Sequence, residues 1–286
     1  MGEFVRIFEM GPRDGLQNEK RLVRTTEKTR LIDKLSDCGF QKIEATSFVS
    51  PRWVPQMADA AEVMAGTRRA PGVVYAVLVP NLKGYEAARA AKADEVAVFA
   101  SASETFSLRN INCSIAVSLE RFRPVLATAA ADNVPVRGYV SCVTDCPYEG
   151  PILPAATVRV AAELLAMGCY QISLGDTIGQ GTPATIAAML DAVLEEVPAG
   201  RLAGHYHDTG GSALDNILVS LEKGLCTFDA AVGGLGGCPF APGAKGNVDT
   251  LAVAAMLTDR GYETGLDMER LKEAARFAAS LREERS

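Results

Sequence analysis

The chain has only two histidines in 286 residues, and it lacks several features that would place it in a common class. It has no excess of positive charge, since its formal net charge is -6, and this argues against a surface for nucleic acid. We therefore expect no nucleic-acid partner, and any anionic ligand must be met by a local arginine, lysine or metal ion. The apolar runs are far shorter than a membrane span, so we expect no membrane partner.

The cysteines also argue against a disulfide-stabilised fold. Their number, seven, is odd, and they are widely spread. Cys142 and Cys146 form the closest pair, and their spacing fits neither a zinc site nor a disulfide framework. The N-terminal MGEFVRIFEM enters a strand pattern at once, without the composition of a signal peptide. We therefore expect a cytoplasmic protein.

The chain does contain a regular alternation of short β-rich apolar runs with amphipathic or alanine-rich stretches, repeated roughly every 30 to 35 residues. No linker or change in composition divides it, so we expect one domain over residues 1–286. Eight such repeats favour an α/β fold, a (β/α)8 TIM barrel with an added C-terminal helix over 268–285. A doubly wound open sheet is the alternative. The predicted strands lie at 5–10, 42–48, 73–79, 95–101, 134–142, 171–175, 202–208 and 227–233.

In such a barrel the reactive groups lie at the carboxyl ends of the strands and in the loops that follow. Polar residues stand at these places after five different strands, so the closed barrel would bring them together. They are Arg13 and Asp14, Glu44 and Ser47, Asp176, His205 and His207, and the segment 233–247.

Both histidines lie in one stretch, GHYHDTGG (204–211), at the end of the seventh predicted strand. Alternate residues of a strand share a face, so His205 and His207 point the same way while Tyr206 faces the helices. Two adjacent imidazoles make half of a divalent metal site, although hydrogen-bonded histidines at a barrel mouth are an equal alternative. Asp14 is the best-placed third ligand, because strands 1 and 7 flank strand 8 in a closed barrel.

The segment GPRDGLQNEK (11–20) places Arg13 beside Asp14 between glycines. Arg13 has a planar fork of donors suited to a carbonyl or carboxylate oxygen. The alternative is a tight turn in which Asp14 caps the first helix.

The segment GGLGGCPFAPG (233–243) surrounds Cys238 with glycines and prolines. It suits a lid that closes over a bound substrate. The alternatives are a rim loop without function and a backbone cradle for phosphate.

These segments, together with SFVSPRWVPQMADA (47–60), RGYVSC (137–142), CPYEG (146–150) and SLGDTIGQGTP (173–183), resemble the 3-hydroxy-3-methylglutaryl-CoA lyases. More broadly, they resemble the metal-dependent lyases and Claisen-condensing TIM barrels that share RDG after the first strand. The resemblance runs from about residue 3 to residue 260. It implies cleavage of an acyl-CoA substrate, 3-hydroxy-3-methylglutaryl-CoA, to acetyl-CoA and acetoacetate, as in leucine degradation and ketone body formation. It also implies Mg2+ or Mn2+ as cofactor and a homodimer.

Carried over residue by residue, the resemblance assigns three groups of site residues. It leaves the general base open between His205 and a carboxylate near the metal. The implied metal ligands are Asp14, His205, His207 and Asn247; the implied catalytic residues are Arg13, Asp14, Glu44, Asp176, His205 and Cys238; the implied substrate-binding residues are Arg13, Gln17, Ser47, Asn110, Tyr139 and Ser173.

Two departures from the pattern, Gly210 and Lys245, put the preferred acyl chain in doubt. A lyase for a longer branched 3-hydroxyglutaryl-CoA is therefore one alternative. A Claisen-condensing acyltransferase is another, although such enzymes usually carry a further C-terminal domain. A zinc hydrolase barrel would need more histidines, and a non-enzymatic metal-binding module would leave Arg13 and Cys238 unexplained.

Overall fold

A computed structural model describes residues 2–236 and 246–282 of the chain. Its eight main strands are parallel and close into a barrel, because β1 pairs with both β2 and β8. This confirms the TIM barrel and excludes the open sheet. The barrel strands are β1 (Arg6–Glu9), β2 (Lys42–Ser47), β3 (Val74–Leu78), β4 (Glu95–Ser101), β5 (Val136–Ser141), β6 (Gln171–Asp176), β7 (Leu202–Tyr206) and β8 (Thr227–Ala230).

Helices cover the outside of the barrel, and the last of them is the added C-terminal helix that the sequence predicts. The sequence pattern did not indicate α2, α4 or α9. The first two are only seven and eight residues long, about two helical turns, which is too short for a helical period to stand out in the sequence. In α9 apolar residues cover most of the surface, so no separate polar face marks the helix. The helices are α1 (Thr25–Ser36), α2 (Ala60–Gly66), α3 (Leu82–Ala90), α4 (Glu104–Ile111), α5 (Ile115–Ala131), α6 (Pro154–Ala166), α7 (Pro183–Leu194), α8 (Ala213–Glu222), α9 (Thr250–Asp259) and α10 (Met268–Ser280).

The main hydrophobic core lies between the strands and the helices, whereas the barrel interior is largely polar. Inside the strands the described residues form one small apolar cluster, which includes Phe8, Met10 and Leu78. Branched apolar side chains usually fill this space in TIM barrels. Here the buried side chains of Arg137 and Asp229 meet across the interior and form an ion pair. The inside of the barrel is therefore the place to look for chemistry.

A β-bulge in β2 sets which side chains enter this interior. The pairing of β2 with β3 shifts between Glu44 and Thr46, so Glu44 pairs with Ala76 while Ser47 pairs with Leu78. Ala76 and Leu78 both belong to the interior cluster. Three residues apart, Glu44 and Ser47 would face opposite sides of a regular strand, but the bulge places both on the inner face.

Glu9 connects the outer layer to two loops at the carboxyl end of the barrel. Its carboxylate is fully buried and accepts hydrogen bonds from the backbone N–H groups of Gly11 (2.8 Å) and Val232 (2.9 Å). It also accepts one from the Thr250 hydroxyl at 2.7 Å. Burial is the main influence on this carboxyl and raises its pKa to about 7, from an ordinary value of 4.5. Glu9 thus holds the loops after β1 and β8 together, and it titrates near neutral pH.

This shift predicts a pH-dependent stability. Between about pH 4.5 and 7 the folded protein retains a proton on Glu9 that the unfolded chain has released, so the free energy of unfolding falls as the pH rises. One unit of pKa shift corresponds to about 1.36 kcal/mol, so the free energy of unfolding should fall by about 3 kcal/mol across this pH range. In Glu9→Gln, urea unfolding between pH 5 and 8 should show a flatter profile, since an amide keeps an acceptor for the two N–H groups. Glu196→Gln, at an exposed position, should keep the wild-type slope. An unchanged slope in Glu9→Gln would contradict the assignment.

Candidate metal centre and active site

Arg13 and Asp14 lie in a single π-helical turn, Gly11–Gly15, directly after β1. The turn is defined by the N–H of Gly15 donating to the carbonyl of Met10 at 3.1 Å. A Cβ on Gly15 would lie 2.7 Å from the Cβ of Leu235, which belongs to the loop after β8, so only glycine allows the two loops to pack this closely. The prediction that Asp14 caps the first helix is wrong, because α1 begins at Thr25. Single π-helical turns are frequent at functional sites.

The Asp14 carboxylate faces both histidines. Its Oδ2 atom lies 3.8 Å from Nε2 of His205 and 3.9 Å from Nε2 of His207. One ligand atom from each of the three residues can be chosen so that all lie within 4.8 Å of one another. Tyr206 points outward, as the strand pattern predicts, and its hydroxyl lies 2.7 Å from that of Ser220 on α8. Strand alternation therefore delivers both imidazoles to the barrel interior.

Asn247 completes this cluster from the segment after β8. A backbone bridge pairs it with His207, and the Asp208 N–H donates to the carbonyl of Gly246. The side-chain Nδ2 of Asn247 donates to Oδ2 of Asp14 at 2.7 Å. Ligation of a cation through Oδ1 would require the amide to rotate by half a turn, which exchanges its oxygen and nitrogen.

The donors and charges of this cluster fit a divalent cation. One carboxylate, two imidazoles and one amide offer oxygen and nitrogen ligands suited to a hard or borderline metal ion. Asp14 is ionised, because the charge of the Arg13 guanidinium outweighs the burial of Asp14 and holds its pKa well below the usual range. His207 is neutral, because burial and the neighbouring His205 lower its pKa to about 4. A neutral imidazole has the lone pair that a metal needs.

Arg13 lies between two carboxylates. Its Nε donates to Glu44 and its Nη1 donates to Asp14, and the side chain is only 6% exposed. Tyr139 packs beside it, with the guanidinium carbon 5.6 Å from the ring centroid, and the Tyr139 hydroxyl donates to Glu44 at 3.2 Å. Burial opposes the charge of Arg13, but Glu44 and Asp14 outweigh it and raise its pKa further, so the guanidinium stays charged.

The cluster opens into a cavity of about 680 Å³ at the carboxyl end of the barrel. Arg13, Asp14 and both histidines line it. Of the predicted substrate-binding residues, Gln17, Asn110 and Tyr139 also line it. The cavity therefore joins the candidate cation ligands, a fixed guanidinium and a space large enough for part of an organic substrate.

Three of the predicted site residues, Ser47, Ser173 and Asp176, do not line the cavity. Ser47 is buried, and its hydroxyl has no hydrogen-bond partner in the described part of the chain. Ser173 lies deeper in the barrel and donates to Oδ2 of Asp229 at 2.7 Å.

Asp176 differs from the expectation that it lies near the metal. It pairs with Tyr206, so it faces outward, and its carboxylate accepts the N–H groups of Gly181 (2.9 Å) and Gln180 (3.3 Å). Its burial raises its pKa to about 6. The structure thus gives Asp176 the geometry of a loop anchor.

Cys238 and Lys245 lie outside the described residues. Gly210, the other departure noted in the sequence, is described and does not widen the cavity. Its N–H donates to the carbonyl of Gly179, and a Cβ at this position would lie 2.7 Å from that same oxygen. This glycine is required by the contact between two loops.

Two functional candidates were missed in the sequence. Asp229 on β8 lies 3.2 Å from Nδ1 of His205, and Arg137 on β5 forms the buried ion pair with it. Each is a charged residue within an otherwise apolar run, TFDAAVG or VPVRGYVSC, at a position whose strand neighbours point inward. The sequence did contain a signal for these two residues, namely a charged residue within the apolar run of a predicted barrel strand.

The fold and the site together define a TIM-barrel protein with a candidate divalent-cation site of one carboxylate and two imidazoles, beside a buried arginine. The HMGL-like family model matches residues 4–278, and the chain belongs to this family.

Two solved structures and one curated protein show the extent of the similarity. The HMG-CoA lyase of Brucella melitensis is 67% identical, with a TM-score of 0.97 and coverage of 98% of this chain and 99% of that one. The 3-hydroxy-3-isohexenylglutaryl-CoA/hydroxymethylglutaryl-CoA lyase of Pseudomonas aeruginosa is 57% identical over 94% of this chain and 90% of its own. An HMG-CoA lyase from Acinetobacter baumannii, solved with coenzyme A and 3-methylmalate, is 37% identical, with a TM-score of 0.93 and coverage of 98% and 91%.

The cluster predicts which residues of β7 bind metal. His207→Ala should lower the affinity for Mn2+ at least tenfold, measured by calorimetry on chelator-treated protein, because it removes a ligand from a small set. Tyr206→Phe is the matched control. It should keep the wild-type affinity and lose only about 1 kcal/mol of stability, since it deletes one buried hydrogen bond on the opposite face. Equal Mn2+ affinities in wild type and His207→Ala would refute the site.

Proposed function

We propose that this protein is a divalent-metal-dependent carbon–carbon lyase that cleaves 3-hydroxy-3-methylglutaryl-CoA to acetyl-CoA and acetoacetate. The observation that carries the proposal is the meeting of Arg13 with Asp14, His205 and His207 on the wall of one cavity. Membership of the HMGL-like family and the names of the similar proteins supply the substrate.

We propose that Asp14, His205, His207 and Asn247 hold Mg2+ or Mn2+. When bound, such an ion would act as a Lewis acid and lower the pKa of an alcohol placed against it. Two oxygen and two nitrogen donors without a thiolate disfavour soft metal ions, and the family resemblance supplies the choice of Mg2+ or Mn2+.

Arg13 is suited to bind and orient the thioester carbonyl. Its guanidinium has five N–H donors, and Glu44 and Asp14 take two of them among the described contacts. The two ion pairs hold the remaining donors in a fixed direction before the substrate arrives. A pre-oriented donor stabilises the negative charge that develops on the carbonyl oxygen as the enolate forms, and the loss of one such donor typically costs about 3 to 4 kcal/mol of activation free energy.

Bond cleavage also requires a base for the tertiary alcohol and an acid for the enolate carbon. Of the two carboxylates that contact Arg13, Glu44 is the stronger base, because burial raises its pKa while that of Asp14 is held low. We therefore propose Glu44 as the group that takes up the alcohol proton, with His205 committed to the cation. Cys238, on the family resemblance, would return a proton to the enolate carbon. Asp176 is proposed as a positioning residue for the loop 179–181.

The outer part of the cavity is suited to the anionic CoA portion of the substrate. Arg109 and Arg121 line it and offer positive charge on a protein whose net charge is -6. The ring of Tyr148 lies 4.7 Å from the Arg109 guanidinium and restrains it. The bound coenzyme A in the Acinetobacter baumannii relative supports an acyl-CoA ligand here.

A longer branched 3-hydroxyglutaryl-CoA is the second candidate substrate. The Pseudomonas aeruginosa relative carries a name that includes an isohexenyl-substituted compound. The cavity wall also includes Val49, Leu78 and Phe99, whose apolar surfaces would accept a hydrocarbon branch.

We further propose that residues 1–286 act as one barrel domain, in a cytoplasmic homodimer. The six described cysteines are free, which fits a reducing compartment. No helix in the described ranges has the length and apolar character needed to cross a membrane.

The direct test is metal-dependent turnover. Protein treated with EDTA should lose activity on 3-hydroxy-3-methylglutaryl-CoA and regain it with Mg2+ or Mn2+, measured by the release of acetoacetate and acetyl-CoA. The isohexenyl analogue, assayed in parallel, should have a lower kcat/KM; a higher value would make the longer compound the substrate. Full activity in metal-stripped protein would overturn the proposed reaction.

Arg13→Lys tests the role of the planar fork. A single ammonium group cannot contact Glu44, Asp14 and a carbonyl oxygen together, so kcat should fall more than tenfold, or about 1.4 kcal/mol, while Mn2+ still binds. Arg69→Lys is the matched control, because Arg69 pairs with Asp94 near the amino-terminal end of the barrel. A smaller loss in Arg13→Lys would remove Arg13 from the enolate step.

A further inference from the structure

We infer that Asp229, held by Arg137, is a positioning residue that fixes the tautomer of His205 and thereby makes His205 a metal ligand. The inference deepens the proposed function, on whose cation site it rests. Its tests measure ring protonation and Mn2+ binding, so they remain informative even if the proposed reaction is wrong.

The contacts of Asp229 lie wholly inside the barrel. Asp229 pairs with His205 across the β7–β8 ladder and is 2% exposed. Its Oδ2 atom lies 3.2 Å from Nδ1 of His205, 3.0 Å from Nη1 of Arg137 and 2.7 Å from the Ser173 hydroxyl. Its Oδ1 atom lies 2.9 Å from Nη2 of Arg137. One carboxylate therefore faces three donors, and Oδ2 is directed at the imidazole ring.

Arg137 keeps this carboxylate ionised. The guanidinium is fully buried and meets both oxygens of Asp229. It is held in turn by the side chain of Gln171 at 3.1 Å and by the ring of Phe8, whose centroid lies 4.7 Å away. A carboxylate whose two oxygens face two nitrogens of one buried guanidinium is held as the charged partner of an ion pair.

An ionised carboxylate can only accept hydrogen bonds. The nitrogen of His205 that faces Asp229 must therefore carry a hydrogen, and in a neutral imidazole the other nitrogen then has the lone pair. That other nitrogen, Nε2, is the atom directed at Asp14, 3.8 Å from its Oδ2. Carboxylates that fix a metal-binding imidazole in this way commonly change metal affinity by 10- to 100-fold when they are removed.

His207 provides an internal comparison. Its Nδ1 atom is buried and has no hydrogen-bond partner within residues 2–236 and 246–282. The described structure therefore fixes the tautomer of one imidazole of the pair and leaves that of the other unrestrained. The two histidines should differ in their spectra although both face Asp14.

The tautomer can be measured directly, because the chain has only two histidines. Metal-free protein labelled with 15N-histidine should give two sets of ring signals, assigned with His207→Gln. In its neutral form, the His205 ring should show hydrogen on Nδ1 and none on Nε2. A neutral His205 ring that carries its hydrogen on Nε2 in the wild-type protein would overturn the inference without any Asp229 variant.

Asp229→Leu tests the role of the carboxylate. It removes the acceptor that faces Nδ1 of His205, so the Nδ1–H tautomer should no longer be fixed, and Mn2+ affinity measured by calorimetry should fall 10- to 100-fold. Because this variant leaves Arg137 without its counter-charge, the double variant Arg137→Met/Asp229→Leu provides a second test. Replacing both charges by apolar side chains often preserves folding, and the same loss of affinity is expected.

Thr227→Val is the matched control. Thr227 lies two residues before Asp229 on the same strand and accepts a buried hydrogen bond from Gln171 at 3.3 Å, without contacting Asp229. It should lose some thermal stability but keep the His205 tautomer and the wild-type Mn2+ affinity. Wild-type affinity in a folded Asp229 variant, or an equal loss of affinity in Thr227→Val, would reduce Asp229 to a purely structural role.

Discussion

The ion pairs that Arg13 makes with Glu44 and Asp14 are the interaction on which the rest of the site depends. They hold the Arg13 guanidinium inside the barrel and orient its remaining N–H donors. They also keep Asp14 ionised beside the two imidazoles. Both Arg13 and Asp14 lie in the π-helical turn after β1. This turn can pack closely against the loop after β8 because Gly11 and Gly15 have no side chain.

A second buried ion pair, Arg137–Asp229, lies deeper in the barrel and also orients a side chain of the site, the imidazole of His205. Tyr139 connects the two pairs, since its hydroxyl contacts both Arg137 and Glu44. With the three carboxylates counted as ionised, the two arginines leave one negative charge in excess, which a divalent cation would reverse. Buried charges of this kind contribute little net stability, because their desolvation offsets much of their attraction. Their arrangement is better explained by what it orients, namely the imidazole of His205 and the guanidinium of Arg13.

The fold and much of the site could be predicted from the sequence, because both rest on local patterns. The eight apolar runs recur at the spacing of βα units, and closure of the barrel was the prediction confirmed most directly. The spacing of His205 and His207 placed both on one face, and the structure puts them there with Asp14. The local pattern did not predict the direction of the Asp176 side chain. A shift of one residue along a strand reverses the direction of a side chain, and Asp176 faces outward with Tyr206. There its carboxylate accepts hydrogen bonds from the loop 179–181.

The sequence by itself determined the strand periodicity, the position of reactive groups at strand ends and the shared face of the two imidazoles, since each follows from residues close together in the chain. Tertiary structure alone decided the partners of those groups. The bulge in β2 turned Glu44 and Ser47 to the same side, and the pairing of β7 with β8 set Asp229 against His205. The physical reason is that strand register and loop packing depend on contacts between distant segments, whereas the direction of a side chain along one strand depends only on its neighbours.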